Sequence, residues 1–393
     1  MPNTCFNPYT PGAGITPNYL AGRDDIISQA EKILDSVAAS RPPRPVIYYG
    51  LRGVGKTVLL NVVEKKAEER GFICEHIEIN ENVNFHSMIA AKLRAITYKI
   101  DGAAKVKDSV VKALRSIKSF SVTFPGGPGL AMDVDAQKGS ADSGILEDDL
   151  TEIMINVGEA AKQNGKAVCI TIDELQYLNS DHLEALIASL HRMGQRELPI
   201  IVFAAGLPSI HSAVAMAKTY SERLFAFIEI DSLRGDAAKL AITAPATKNG
   251  VTYTPESVEL IVATTGGYPF FIQEFGSLIW DHRKGNQINE STTRALIPRL
   301  WEKLDDAFFK VRFEKTTELE RKFMQTMATM SNPPYSIREI AKKMNKKTND
   351  LSVTRDNLLK KCMIYSTDHG MIDFTVPQFD LFLKRKADQV KKE

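Results

Sequence analysis

The sequence predicts an α/β fold with a parallel sheet, followed by a helical lid and a C-terminal helix-turn-helix module. Two observations lead to it: a glycine-rich turn joins an apolar strand to a helix near residue 50, and short apolar runs alternate with amphipathic stretches up to about residue 230. The predicted domains are an N-terminal arm and first helix (1–44), a sheet core with a hairpin insertion near 119–135 (45–234), a lid and linker (235–315), and the C-terminal module (316–393).

Composition is that of an ordinary globular protein. The 393 residues suggest two or three domains, and 44% are hydrophobic and 25% charged. A net charge of +2 excludes a general polycation, so any nucleic-acid contact needs a local basic patch. The four scattered cysteines, the lack of a long apolar run and the lack of a signal pattern at the start predict a cytoplasmic protein.

The stretch from Val46 to Val63 carries the strongest motif. An apolar run, Val46–Tyr49, precedes the pattern G-x-x-x-x-G-K-T, and a helical pattern follows it. This is the phosphate-binding P-loop in its strand–loop–helix setting, which predicts binding of ATP or GTP. Lys56 would reach the β- and γ-phosphates, and the Thr57 hydroxyl would hold Mg²⁺. The predicted nucleotide-binding residues here are Gly50, Leu51, Arg52, Gly53, Val54, Gly55, Lys56, Thr57 and Val58.

A second apolar strand, Lys166–Ile172, ends in the adjacent carboxylates Asp173 and Glu174. The carboxyl end of a central parallel strand is where such folds place function. We predict that Asp173 organises the Mg²⁺ shell with Thr57, and that Glu174 activates a water for attack on the γ-phosphate. Gln176 is a further polar candidate at this site.

The other elements follow from periodicity and turn residues. The Pro-rich N-terminus predicts an extended arm, and there Tyr19 and Leu20 would either pack beside the adenine or form a surface arm. Two short alternating runs around a Gly/Pro turn, Ser119–Phe124 and Leu130–Asp135, predict a β-hairpin that is either a decoration or a contact device. Further strands are predicted at 72–80, 199–205 and 225–230, and helices at 26–38, 85–98, 106–117, 146–164, 180–192, 236–249, 255–265, 269–280 and 289–309.

The C-terminal part predicts helices at 317–330, 337–344 and 351–361, then a hairpin at 363–375. This is the element order of a winged helix-turn-helix. Residues 331–393 hold thirteen Lys and Arg against eight Asp and Glu. The cluster suits contacts with DNA phosphates through residues 336–375, while the alternative is a protein-docking module with a solvated basic face. Its members are Lys342, Lys343, Lys346, Lys347, Arg355, Lys360 and Lys361.

Together these segments resemble AAA+ ATPases, most closely the branch of the origin-recognition initiators and the STAND-type regulators. The resemblance covers nearly the whole chain, from Leu20-Ala21-Gly22-Arg23 through the P-loop, the carboxylate pair (Walker B) and a Gly-Gly-x-Pro lid to the winged helix. It extends to a bacterial group of ATP-binding proteins with Asp-Glu-Leu-Gln-Tyr, Ala-Gly-Leu-Pro and Phe-Thr-Val-Pro segments. It implies a nucleotide-switched homo-oligomer in which Arg223, before the last core strand, reaches a neighbour's site; the alternative role for Arg223 is a surface ion pair.

This sequence departs from that family at two places. No polar sensor side chain ends the fourth strand, where Ala204-Ala205-Gly206 stands and Ser209 is the nearest candidate. The lid arginine after Gly266-Gly267 is also missing, although Pro269 would still line the adenine pocket as Gly-x-Pro does in STAND-type proteins. These gaps favour slow hydrolysis of ATP to ADP and phosphate. Two hypotheses stay open, a DNA-associated ATPase switch and a signalling or defence regulator that docks a protein; a metabolic P-loop kinase is a distant third.

Overall fold

The computed structural model describes residues 6–41, 43–81, 84–100, 108–125 and 134–390. Within these ranges the chain divides into two compact units. The sheet unit comprises residues 23–49 and 56–229, and the helical unit comprises residues 1–22, 50–55 and 230–393 as far as they are described. No helix in the described ranges is both long and apolar enough to cross a membrane.

The sheet unit is built on five parallel strands in the order β2-β3-β4-β1-β5. The central strands β3 and β4 are buried along their whole length, as their continuous apolar sequence predicts. Because all five strands run the same way, their carboxyl ends meet at one edge of the sheet. The strands are β1 Val46–Tyr49, β2 Ile73–Glu78, β3 Val168–Asp173, β4 Ile200–Gly206 and β5 Ala226–Glu229.

Every helix of the sheet unit except a four-residue one buries apolar side chains within this unit. In α2, for example, Leu60 and Val63 are fully buried. The helices are α1 Asp24–Ala38, α2 Lys56–Glu69, α3 Phe85–Ile100, α4 Asp108–Thr123, α5 Leu146–Gln163, α6 Ser180–Gln195, α7 Ile210–Ala217 and α8 Ser221–Leu224.

The hairpin predicted near 119–135 is wrong in its first half. Residues Ser119–Thr123 continue α4 as a helix. Ile117 and Phe120 are three residues apart and both fully buried, and the Phe124 ring lies 4.9 Å from that of Phe120. Residues three and four apart face the same side of a helix, so these side chains pack on one helical face. The six-residue alternation was too short to distinguish the two periods. The turn and most of the second predicted strand lie outside the described residues.

The helical unit holds the predicted lid helices and the N-terminal arm, which is without a helix over residues 6–22. Tyr9 is buried there, and its hydroxyl donates to the Ile242 carbonyl at 2.5 Å. A π-helical turn, Asp305–Lys310, follows the lid, and a pair of two-residue parallel strands was not predicted. The elements are α9 Gly235–Thr247, β6 Thr252–Tyr253, α10 Pro255–Thr265, α11 Pro269–His282, β7 Gln287–Ile288, α12 Glu290–Leu304 and α13 Val311–Glu314.

The C-terminal segment of the helical unit contains three helices and a hairpin in the order that the sequence predicts. A short strand before the second helix pairs antiparallel with the hairpin, and a last helix adds Phe379 and Phe382 to the core; neither was predicted. The elements are α14 Glu318–Ala328, β8 Tyr335–Ser336, α15 Ile337–Lys343, α16 Ser352–Lys360, β9 Ile364–Asp368, β10 Met371–Phe374 and α17 Phe379–Val390.

Candidate functional site

The loop Gly50–Gly55 depends on its glycines for two different reasons. Gly53 and Gly55 have φ of 84° and 95°, in the left-handed region that side chains disfavour. A Cβ on Gly50 would lie 2.0 Å from the Ile230 carbonyl oxygen, so this position admits only hydrogen. A Cβ on Gly55 would meet nothing within 4 Å, so the backbone is open on that side. An open, glycine-lined backbone of this kind suits close approach of phosphate oxygens.

Helix α2 begins immediately after this loop, with Lys56, Thr57 and Val58 as its first residues. A helix N-terminus presents unpaired N–H groups and a positive dipole end, which favours anions. The Lys56 side chain is buried, with 8% of the residue exposed. Lysine is rarely buried to this extent without a polar partner, so this ammonium is positioned rather than solvated.

The structure brings Thr57 and Asp173 together. The Thr57 hydroxyl donates to Oδ2 of Asp173 at 2.6 Å, although the two residues are 116 positions apart in sequence. Asp173 is the last residue of β3, is 4% exposed, and accepts through Oδ1 from the Glu174 N–H at 2.8 Å. One hydroxyl and one fixed carboxylate therefore meet at the start of α2.

This pair of oxygen ligands fits Mg²⁺. That ion is bound in proteins through one or two carboxylates together with substrate phosphates and waters, rather than by an all-protein cage. Within the described ranges no three His, Cys, Asp or Glu side chains form a group that could hold a metal. Thr57 and Asp173 could thus supply the protein's share of the coordination, and a triphosphate would complete it.

Glu174 follows Asp173 in an unusual backbone conformation. Its φ of 55° and ψ of 40° are left-handed, which is uncommon for a residue other than glycine. Its half-buried side chain accepts a hydrogen bond from Nε2 of Gln176. Oε1 of Gln176 in turn accepts from the Leu207 N–H at 3.0 Å, just beyond β4. In the sequence, only the place of Gln176 two residues after Glu174 indicated that it could belong to the site.

The remaining predicted residues of the sheet unit are more exposed. Arg223 is exposed in α8, directly before the edge strand β5. Ser209, the nearest polar candidate after β4, is half-buried, and it precedes α7 without making a side-chain cap bond.

In the helical unit, the lid contacts the phosphate loop through backbone atoms. The Phe270 N–H donates to the Gly53 carbonyl at 3.2 Å, and Pro269 is the first residue of α11. Tyr19 and Leu20 are half-buried, and the Lys248 ammonium lies 5.7 Å from the centre of the Tyr19 ring. Sequence reasoning did not anticipate the bond between Phe270 and Gly53, because a backbone contact needs no particular side chain.

The C-terminal segment also contacts the phosphate loop. The Arg52 N–H donates to the Thr375 carbonyl at 3.1 Å, and Nε2 of Gln378 donates to the Thr264 carbonyl at 3.2 Å, near the Gly266-Gly267 turn. The residues joined are more than a hundred positions apart, so no local pattern signals these bonds. The segment after β10 is therefore bonded to both the loop and the lid.

Comparison with known families shows what two parts of the chain are similar to. Residues 19–203 match the family described as the AAA ATPase domain. This match spans a little under half of the chain and includes both the P-loop and the tip of β3. A second match covers residues 306–383 and is to a family described as a domain of unknown function. No curated protein matches this chain in sequence.

Solved structures agree with the fold of the AAA ATPase domain. A Walker-type ATPase of Pyrococcus abyssi aligns over 93% of this chain and 96% of its own, with a TM-score of 0.59 at 14% identity. At that identity the likeness shows the fold alone. The α/β P-loop NTPase fold of the AAA+ type, predicted from the sequence, is thereby confirmed.

Two further structures are less similar, with TM-scores below 0.5. The Orc1 protein of Aeropyrum pernix in complex with DNA aligns over 96% of each chain, with a TM-score of 0.47 at 14% identity. A RuvB variant of Thermotoga maritima aligns over 90% of this chain and 92% of its own, with a TM-score of 0.44 at 15% identity.

Proposed function

We propose that this protein is an AAA+ molecular switch that binds ATP with Mg²⁺, hydrolyses it slowly, oligomerises, and contacts DNA through a C-terminal winged helix formed by residues 316–393. The observation that carries the proposal is the 2.6 Å hydrogen bond between Thr57 and Asp173. It joins the hydroxyl of the P-loop motif to the carboxylate at the tip of β3, as a shared metal site requires. The match to the AAA ATPase domain supports the same assignment.

Hydrolysis needs the chain's own groups in defined roles. Mg²⁺, when bound, neutralises charge on the phosphates. Lys56 holds the β- and γ-phosphates, and Glu174 takes a proton from the attacking water. The water oxygen then bonds to the γ-phosphorus as the bond to the β–γ bridging oxygen breaks, so that ADP and phosphate leave. The half-buried position of Glu174 beside Asp173 supports its role as the base.

Arg223 is assigned to a neighbouring subunit's site. Its exposure directly before an edge strand leaves the guanidinium accessible to a second copy of the chain. There it would stabilise charge on the transferring phosphoryl group. The nucleotide base is assigned to the helical unit, between Tyr19, Leu20 and Pro269. The bond from the next residue, Phe270, to Gly53 supports that assignment.

The switch character rests on the contacts of the phosphate loop with the C-terminal segment. Arg52 is bonded to Thr375, and Gly53 is bonded to Phe270 at the start of a lid helix. If nucleotide binding changes the conformation of the loop, it would therefore also change the hydrogen bond between the loop and the segment that follows β10. A ligand shifts a conformational equilibrium when it binds one of two arrangements of such a contact more tightly than the other.

DNA is proposed as a partner because of the exposed lysines around α15 and α16. Lys342, Lys343, Lys346, Lys347 and Lys360 are exposed, as phosphate contacts require. Two other members of the predicted cluster are engaged within the protein. Lys361 pairs with the buried Glu320 at 2.7 Å, and Arg355 pairs with Asp356 at 2.8 Å.

A second candidate function is a STAND-like signalling or defence regulator whose winged helix docks a protein. The observation that favours it is Val353, an apolar side chain 70% exposed on α16 among the lysines. A protein partner would bury this side chain, whereas DNA phosphates would not.

The test uses the full chain. We expect Mg²⁺-dependent release of phosphate from ATP, and retardation of duplex DNA at low salt that changes between ATP and ADP. Absence of ATP binding would reject the whole proposal. Hydrolysis without DNA affinity in any nucleotide state would reject the DNA partner. In that case, protein capture by the wild type that is lost on Val353→Asp would support the second candidate.

A further inference from the structure

The side-chain amide of Gln176 joins Glu174 to the end of β4 within the sheet unit. Its Nε2 donates to Oε2 of Glu174, and its Oε1 accepts from the Leu207 N–H at 3.0 Å. Among uncharged side chains, a primary amide is suited to donating at one atom while accepting at another. One side chain therefore ties the proposed general base to a neighbouring strand.

The backbone after β3 brings the two side chains side by side. Glu174 is left-handed, and a single 3₁₀ turn, Leu175–Tyr177, follows it. The Tyr177 N–H closes this turn on the Glu174 carbonyl at 3.0 Å. A left-handed residue other than glycine persists only where its surroundings hold it, and such residues concentrate at functional sites. The turn thus returns Gln176 beside the carboxylate.

The end of β4 has no polar side chain of its own. It consists of Ala204-Ala205-Gly206, so its side chains cannot hold a water or a phosphate oxygen. A Cβ on Gly206 would lie 3.2 Å from Oε1 of Gln176, which is tighter than ordinary packing. Glycine at this position therefore lets the amide approach. Gln176 supplies, from the end of β3, the polar group that β4 lacks.

We propose that Gln176 is a positioning residue for ATP hydrolysis, which holds one oxygen of Glu174 so that the other faces the attacking water. The inference rests on the proposed ATPase function. It differs from assigning catalysis to Glu174 alone, because it makes the orientation of the base depend on the loop between β4 and α7. Gln176 itself touches no reacting atom in this scheme.

Two substitutions separate hydrogen bonding from shape. Gln176→Met keeps the length of the side chain and removes both bonds. Gln176→Glu keeps the shape, but an ionised carboxylate at 176 repels Glu174 and cannot donate to it. When the pair takes up one proton at lower pH, a protonated carboxyl at 176 can again donate to Glu174 and accept from Leu207. Activity of this variant should therefore recover as the pH falls.

The experiment measures kcat and KM for ATP between about pH 6 and pH 8.5. Gln176→Met should lose about 10- to 100-fold in kcat, because a misplaced base costs that much, while KM for ATP stays within about threefold. The ratio of Gln176→Glu to wild-type kcat should rise as the pH is lowered. Gln163→Met, an exposed glutamine at the end of α5, is the matched control and should behave as wild type.

Three results would overturn the proposal: wild-type kcat in Gln176→Met, a pH-independent ratio for Gln176→Glu, or parallel losses of kcat and ATP affinity. If Gln176→Met does not fold, the pH profile of Gln176→Glu decides. A wild-type chain that binds ATP without hydrolysing it overturns the proposed activity together with this inference. If the wild type hydrolyses ATP and Gln176→Met has the same kcat, only this inference is overturned.

Discussion

The tip of β3 and the helices α15 and α16 both carry side chains suited to phosphate, but they are built differently. At the first, Asp173 is buried and hydrogen-bonded to Thr57. At the second, Lys346 and Lys347 are exposed and converge on no common point that the structure records. A buried and hydrogen-bonded side chain holds one ligand in one geometry, whereas exposed charges act together through their summed electrostatic potential. Substitutions should therefore have large, single-residue effects at the first region and small, additive, salt-dependent effects at the second.

The largest effect is expected at Glu174. Glu174→Gln keeps the shape of the side chain and removes the proposed base, so kcat for ATP should fall about 10²- to 10⁴-fold. ATP affinity, measured with a fluorescent analogue, should stay near the wild-type value. Glu68→Gln, at an exposed glutamate on α2, is the control. Unchanged turnover in Glu174→Gln would remove Glu174 from the role of base.

Lys56 comes next. Lys56→Ala removes the buried side chain whose ammonium we propose donates to phosphate, and ATP affinity should weaken by about 3 kcal/mol, which is about 150-fold. Isothermal titration of Mg–ATP into the variant measures this loss. Lys65→Ala, an exposed lysine on the same helix, should bind ATP as the wild type does. Equal affinities for Lys56→Ala and Lys65→Ala would contradict the assigned site.

Substitution of Arg223 tests whether a second copy of the chain completes the nucleotide site. Arg223→Ala should lower kcat about 10- to 100-fold, below the full effect of an arginine finger in a fast enzyme, with ATP binding intact. Mixing Arg223→Ala with Lys56→Ala should restore activity, since each supplies what the other lacks. A wild-type rate per subunit that is independent of concentration down to the monomer would refute the role in trans.

A graded effect is expected for the lysines near α15 and α16. Lys346→Ala and Lys347→Ala should each weaken DNA binding several-fold at low salt and reduce the slope of log affinity against log salt by about one. Lys32→Ala, on α1, should leave both quantities unchanged. If the double variant Lys346→Ala/Lys347→Ala shows the wild-type slope of log affinity against log salt, the DNA contact lies elsewhere.

The smallest effect concerns a histidine pair in the sheet unit, His86 and His182, whose ring centres are 5.0 Å apart. Burial lowers the pKa of both imidazoles, and repulsion from His86 lowers the pKa of His182 further. As the pH falls, these histidines therefore take up protons in the unfolded chain before they do so in the folded chain. The free energy of unfolding decreases as the pH falls from about 6.5 through the lowered pKa values of the folded state. Between pH 7 and pH 5.5 the urea midpoint should fall less in His86→Phe than in wild type or in the exposed control His369→Phe.

The contrast between the two regions also shows what sequence can predict. Gly50–Thr57 and Asp173-Glu174 are local patterns whose chemistry fixes their structural setting, and the sheet and its order of helices follow from apolar periodicity. The hairpin failed because six alternating residues at Ser119–Phe124 are also compatible with a helix once Phe120 is buried. The bond from Arg52 to Thr375 joins distant segments through backbone atoms alone, and the Gln176 side chain accepts from the backbone N–H of Leu207. A backbone partner needs no particular residue type, so no sequence pattern encodes either pairing.

We propose above all that the P-loop and the tip of β3 bind one metal-bound triphosphate. A crystal structure of the chain with a non-hydrolysable ATP analogue and Mg²⁺ tests it most directly. We predict Mg²⁺ at about 2.0–2.1 Å from the Thr57 hydroxyl, with Asp173 bound to it directly or through one water, and Lys56 on the γ-phosphate. A nucleotide bound away from Thr57, or a metal with no link to Asp173, would show that the two elements do not share one site.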